Sequence, residues 1–303
     1  MATQSKYAPE RAGDWGVPVT EQSGYTTSTL AMRDGTQIFY RRWQSAGNAP
    51  ALVLMHGLGA HSGWFIDMCN ELHARGLTVY ALDHRGFGRS GGPRGHVRDG
   101  SIYPRDLIAF LESVRQQQPD SSLFILGHSM GAIFALSLAA EDSARPKPLL
   151  SGIILMNPWI DDQSKVSAGR VAGIVFSGMA GSTRQIAAAG GTETMTTNPE
   201  AIAMLNADDK WVRTQSASFL YQITKMRLAT LKRAKVTRLP ALVIQCEQDR
   251  AVISAASRRM YDALASTDKT WKTYADFGHD VEFEPERVIL DDDIAQWIKA
   301  HSA

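Results

Sequence analysis

Short apolar runs rich in β-branched residues alternate along this chain with longer stretches of helical period. The runs are ALVLM (51–55), TVYAL (78–82), SLFIL (122–126), GIILM (152–156) and ALVIQC (241–246). Each is apolar enough to lie in the interior of a sheet covered on both faces. Helical stretches separate the first four, which is the pattern of a mostly parallel sheet with helices on both sides. A further strand-like run, WKTYA (271–275), follows the last of them. The opening pair differs: Thr26 to Met32 and Thr36 to Trp43 flank Asp34-Gly35, a hairpin signal, so the sheet is expected to begin with antiparallel strands.

From Ile160 to about Lys235 no strand-like run stands out. The segment is first rich in Ala, Gly, Ser and Thr (VAGIVFSGMAG, then IAAAGG), then helical in pattern from Pro199 to Leu231. It reads as a cap inserted over the sheet, its Gly- and Ala-rich part as a mobile lid or else a loose crossover. The chain therefore divides into a first core part (1–159), a cap or lid subdomain (160–235) and a second core part (236–303).

Composition narrows the partners. With 303 residues the chain can bury one large core, and 32 Lys plus Arg nearly cancel 31 Asp plus Glu. No long-range field favours nucleic acid or another polyanion. Cys69 and Cys246 are too few for a disulfide scaffold and read as small buried hydrophobes. The first thirty residues lack the basic start and apolar run of a secretory signal, and no uninterrupted apolar stretch could span a bilayer, so a cytoplasmic protein without integral membrane association is expected.

The chemistry concentrates at Gly127-His128-Ser129-Met130-Gly131, which follows the strand SLFIL and precedes the apolar helical run AIFALSLAA. G-x-S-x-G arises by chance in roughly one 300-residue chain in ten. Its place at a strand-to-helix junction is far more specific, because the sharp turn there leaves no room for Cβ atoms at the glycines. A serine hydroxyl needs a base to take its proton and a third group to hold that base. Asp249, just after ALVIQC, and His279, after WKTYA, fall where open parallel sheets collect catalytic groups. His56, His61, His73, His84 and His96 precede the serine, His128 adjoins it and His301 lies in the tail; Asp161 or Asp162 could replace Asp249. Oxyanion donors are expected from the backbone N–H groups of Met130 and of Leu58, in the loop His56-Gly57-Leu58-Gly59. The His56 side chain reads as a brace for that loop. Asp83-His84-Arg85-Gly86-Phe87-Gly88-Arg89-Ser90 matches neither nucleotide-binding glycine pattern and reads as a structural turn.

Together these residues resemble the alpha/beta-hydrolase superfamily, and within it the monoacylglycerol lipase and lysophospholipase-like serine hydrolases. The marks are HGLG with His61-Ser62, the run from Asp83 through Pro93-Arg94-Gly95-His96-Val97, GHSMG and the two later loops. The resemblance implies an α/β fold with an eight-stranded sheet and a helical cap, and hydrolysis of a small-molecule acyl ester without metal or organic cofactor. It carries over Ser129, Asp249 and His279 as the triad, with Leu58 and Met130 as oxyanion donors. Where such lipases place a glutamate, an arginine and a tyrosine around a glycerol head, this chain has Ala60, Trp64 and Leu205, which suggests an alkyl or aryl monoester in place of a monoglyceride. His128, Ile174, Phe176, Met179 and Met204 are further candidates to line a substrate pocket. The same triad could serve amide, peptide or carbon–carbon bond hydrolysis or perhydrolysis, or the pocket a non-catalytic receptor. Dehalogenase and epoxide hydrolase chemistry needs an aspartate where Ser129 stands. Monomer or homodimer, and weak contact of the cap with a lipid interface, stay open.

Overall fold

A computed structural model describes residues 24–163, 167–187 and 191–302. The antiparallel hairpin comes first, β1 (Thr26–Ala31) against β2 (Gln37–Trp43), with Thr26 opposite Arg42. Gly35 sits at φ +80° in its turn, and Asp34 Oδ1 accepts from Thr36 N at 3.0 Å. Then β3 (Ala51–Met55), α1 (Ile66–Ala74), β4 (Thr78–Leu82), α2 (Ile102–Gln117), β5 (Leu123–His128), α3 (Met130–Asp142) and β6 (Gly152–Met156) alternate. The segment read as a cap holds α4 (Ala168–Met179), β7 (Gln185–Ala187), α5 (Pro199–Ala207), β8 (Thr214–Ser216), α6 (Ala217–Leu228) and α7 (Thr230–Ala234). After it come β9 (Ala241–Cys246), α8 (Ser254–Ala263), β10 (Lys269–Tyr274) and α9 (Val288–Ala300).

The main sheet has eight strands in the order β1-β2-β4-β3-β5-β6-β9-β10, and only the pairings of β2 are antiparallel. Because successive side chains of a strand point to opposite faces, each central strand feeds two cores. Ala51, Val53 and Met55 of β3, with Leu123 and Ile125 of β5, join a cluster that α2 and α3 cover. Leu52, Leu54, Phe124 and Leu126 join the opposite cluster, covered by Met68, Cys69 and Leu72 of α1 and Leu290, Ile294 and Ile298 of α9. This two-sided burial is why the central strands are continuous apolar runs without alternation.

The cap segment departs from its expected pattern in two ways. β7 and β8 pair antiparallel, Gln185 opposite Ser216, so a two-stranded ribbon lies where no strand was expected. Three residues are too few for a period of two to show. The helical pattern over Pro199 to Leu231 is also split. Asn198 caps α5 with Pro199 in its first turn, a strap that bends at Asp209-Lys210 and becomes extended in β8 runs from Asp208 to Gln215, and Ser216 caps α6 by accepting from Phe219 N at 3.0 Å. The strap leaves the helical path because its main chain bonds outward: Val212 N donates to Gly59 O at 2.9 Å, β8 pairs with β7, and Ser216 N, where the strap meets α6, donates to Gly95 O at 2.8 Å. Most of the Gly- and Ala-rich run read as a lid is the helix α4, with Ile186 and Ala187 in β7. Ala188 to Gly190, also in that run, lie outside the described residues. Side chains of this segment enter both cores: Phe219 and Ile223 the first, Met204 and Leu205 the second.

Candidate active site

The turn between β5 and α3 is built from glycine necessity. A Cβ on Gly127 would lie 2.3 Å from Gly131 O, and one on Gly131 would lie 2.2 Å from Met55 O. Between them Ser129 is held at φ +53°, ψ −112°, a backbone region that costs a non-glycine residue of order 1–3 kcal/mol. Its neighbours secure it, since Ser129 N donates to Met156 O at 3.0 Å and Ser129 O accepts from Trp159 N at 3.2 Å. The nucleophile candidate thus stands at the C-terminal edge of the sheet, at the start of a helix.

The loops after β9 and β10 bring their candidates to the same edge. His279 Nε2 is 3.0 Å from Ser129 Oγ, and His279 Nδ1 is 2.7 Å from Asp249 Oδ2. Asp249 Oδ1 accepts from Ala251 N at 2.8 Å and Val252 N at 2.9 Å, which fixes the carboxylate. Burial alone would raise the Asp249 pKa, yet the His279 charge and these hydrogen bonds hold it below the usual carboxylate range. Burial likewise pushes His279 down, but Asp249 and then Asp280 outweigh it and leave the imidazole above its ordinary value. Asp162, the rival acid, instead pairs with Arg227 and accepts from Trp159 Nε1 at 3.1 Å.

The loop carrying Leu58 passes against the serine: a Cβ on Gly57 would lie 3.2 Å from Ser129 Cβ. Met130 opens α3, so its N–H is one of the helix's first donors, which find no partner within the helix. His56 braces this loop. Its Nδ1–H donates to Gly57 O at 2.8 Å and its Nε2 accepts from His84 N at 3.0 Å, while burial lowers its pKa to about 4. Asp83 ties the next turn by accepting from Ser62 N at 2.7 Å and Arg89 N at 2.7 Å. Farther along the same run, Gly95 packs on Thr214 O and His96 Nδ1 meets Ser216 Oγ at 2.8 Å. The glycine-rich run from Asp83 to Val97 is therefore a joint between the loop carrying Leu58 and the segment that follows β6.

Several pocket candidates are placed otherwise than expected. Phe176 is 79 % and Met179 66 % exposed, because α4 turns its Gly178 side onto α6, where a Cβ would lie 2.4 Å from Tyr221 Cβ. Phe176, two residues away, faces the opposite direction at 3.6 residues per turn. Ile174 is half-buried. His128 is sealed in: its Nε2–H donates to His279 O at 3.0 Å, and burial lowers its pKa to about 3. Ala60, Trp64, Met204 and Leu205 are all buried in one cluster. Trp64 Nε1 donates to Asp208 Oδ2 at 2.8 Å, and His61 Nε2 lies 2.9 Å from the same oxygen. The residues expected around an alcohol group thus form packed wall and cap anchor.

Asn157 was missed. It sits at φ +42° with its amide between the loops of the candidate triad, Nδ2 donating to His279 O at 2.7 Å. An Asn-Pro pair at the end of a buried strand was its only mark in the sequence. His128, His279 and Asp280 each offer a donor atom within 4.8 Å of the others. His128 Nε2 and both His279 nitrogens are already committed to His279 O, Asp249 and Ser129, a set suited to moving protons more than to holding a metal.

This arrangement, a strained serine at a strand-to-helix turn with histidine and aspartate from later loops, defines a serine hydrolase on an α/β-hydrolase sheet. Residues 47–286 match the family described as "Serine aminopeptidase, S33" (Hydrolase_4), and the chain belongs to that family. It is similar to the monoacylglycerol lipase of Mycolicibacterium smegmatis, 31% identical over 274 residues that cover 88% of this chain and 94% of that protein. Human monoglyceride lipase is 29% identical over 285 residues, 90% of each chain. The fold matches a soluble variant of Saccharomyces cerevisiae monoglyceride lipase with a TM-score of 0.80 at 21% identity, covering 91% of this chain and 95% of that one. Among the described residues no helix is long and apolar enough to cross a membrane.

Proposed function

We propose that the chain hydrolyses small or medium lipophilic carboxylic esters, monoacylglycerols or alkyl and aryl monoesters, through an acyl-enzyme on Ser129. The observation that carries this reading is the relay of 3.0 Å from Ser129 Oγ to His279 Nε2 and 2.7 Å from His279 Nδ1 to Asp249. His279 takes the Ser129 proton as Oγ attacks the carbonyl carbon. The N–H groups of Leu58 and Met130 hold the resulting oxyanion. His279 then gives the proton to the departing alkoxide, the acyl group stays on Ser129, and a water deprotonated by His279 releases the acid. Asp249 keeps His279 in the tautomer whose Nε2 can accept. The similarity to monoacylglycerol lipases supports the ester class. Residues 160–235 serve as the cap over this site, and the exposed Phe176 and Met179 mark the side on which weak contact with a lipid interface would fall.

The test is turnover of p-nitrophenyl esters from acetate to palmitate beside monoacylglycerols of equal acyl length, with Ser129→Ala as control. The variant is expected to lose activity on the scale of roughly a million-fold. Ester turnover that survives the substitution would sink the reading; a strong preference for monoacylglycerol would remove the alkyl and aryl esters from it.

A further inference from the structure

One fully buried polar side chain at the site has no part in the proposed cycle. Asn157 follows β6, is 0% exposed, and shares with Ser129 a positive φ found in no other described non-glycine residue. Its bonds reach the C-terminal end of strand β9 and the loop that follows β10. Asn157 N donates to Ile244 O at 2.9 Å, and Oδ1 accepts from Cys246 N at 2.8 Å, three residues before Asp249. Nδ2 donates to His279 O at 2.7 Å and to Gly278 O at 3.3 Å. Its own chain neighbours hold the serine: Met156 O accepts from Ser129 N at 3.0 Å, and Trp159 N donates to Ser129 O at 3.2 Å.

The backbone around Asn157 thus fixes the serine, while its amide fixes the histidine and the root of the aspartate loop. A strand that merely ended here would complete its bonds with main chain, and would need neither a left-handed residue nor a side chain that ties the end of β9 to the loop after β10. His128 supplies the second donor to the same His279 carbonyl, at 3.0 Å, so the carbonyl is pinned from two directions. We infer that Asn157 is a positioning residue that sets His279 Nε2 against Ser129 Oγ through the His279 carbonyl, an inference resting on the triad reading above. A misplacement of about 1 Å at such a centre costs on the order of a hundred-fold in rate.

Two variants separate this role from general stability. Asn157→Gly keeps the positive φ and deletes the amide; Asn157→Asp keeps an oxygen facing Cys246 N but cannot donate to His279 O. Each is quantified by active-site titration with a fluorophosphonate, then assayed on p-nitrophenyl butyrate across pH. Both are expected to lose about 10- to 100-fold in kcat per titrated site, with KM within about twofold of the parent. In Asn157→Gly the acid limb of kcat/KM is expected to move to lower pH as His279 loosens from Asp249. Variants that keep the parent's kcat per titrated site and pH profile while only Tm falls would overturn the inference. So would variants that cannot be obtained folded, since Asn157 would then serve the sheet and not the base. A parent chain that fails to label at Ser129 would instead overturn the triad reading.

Discussion

The strand-to-helix turn at Ser129 and the helix pair α4–α6 of the cap solve the same packing problem with different stakes. In both, a glycine lets backbone approach closely: a Cβ on Gly131 would meet Met55 O at 2.2 Å, and one on Gly178 would meet Ala217 O at 2.5 Å. Gly131, however, opens α3 against the end of the fully buried strand β3, which cannot yield. Gly178 lies on a helix whose far side is open to solvent, so the helix can shift outward. Equal local crowding therefore predicts unequal cost, because what matters is how far the surroundings can relax.

Four substitutions test this contrast, and the first acts on chemistry in the core. Asp249→Asn leaves the packing intact but favours the wrong histidine tautomer, and is expected to lower kcat by about 10⁴-fold. The raised His279 pKa means that activity falls as pH drops through a value above 6.5, since the base must be neutral. Removing the carboxylate lowers that pKa, so the residual activity should extend to lower pH; a limb that moves the other way would assign the titration to another group. Next in size is Gly131→Ala set beside Gly178→Ala. The first should cost about 3 kcal/mol or more with loss of turnover, and the second on the order of 1 kcal/mol with most turnover kept. Equal losses of Tm would erase the distinction between core and cap. Smallest is Phe176→Ser, on the open side of α4, expected within about 0.5 kcal/mol of the parent by denaturant unfolding; a larger loss would mean that Phe176 is covered in solution.

What could be read in advance follows the same division. The five apolar runs fell on β3 to β6 and β9 because burial on both faces makes nearly every residue apolar, Thr78 and Gln245 being the buried polar ones in β4 and β9. GHSMG could be placed at its turn because Gly127 and Gly131 are demanded by backbone alone. The segment after β6 was harder: Asp208 to Ser216 leaves the helical path because Gly59, Gly95 and β7 offer it backbone partners from distant stretches, and no local pattern encodes such partners. Phe176 and Met179 look like pocket lining until the orientation of α4 is known. Asn157 is the extreme case, since its principal partner lies 122 residues away and its own neighbourhood suggests only the start of a loop.

The two carbonyl contacts from the strap, Val212 to Gly59 and Ser216 to Gly95, bear on how such enzymes can be rebuilt. Sequence boundaries near 160 and 235 invite treating the cap as an exchangeable cassette. A chimera cut there would bring a new strap onto glycines chosen for the old one, and Gly59 belongs to the loop that packs against Ser129. Transplanting substrate preference between relatives therefore requires moving the strap together with the loops it rests on, as one inheritable unit scattered over three stretches of sequence.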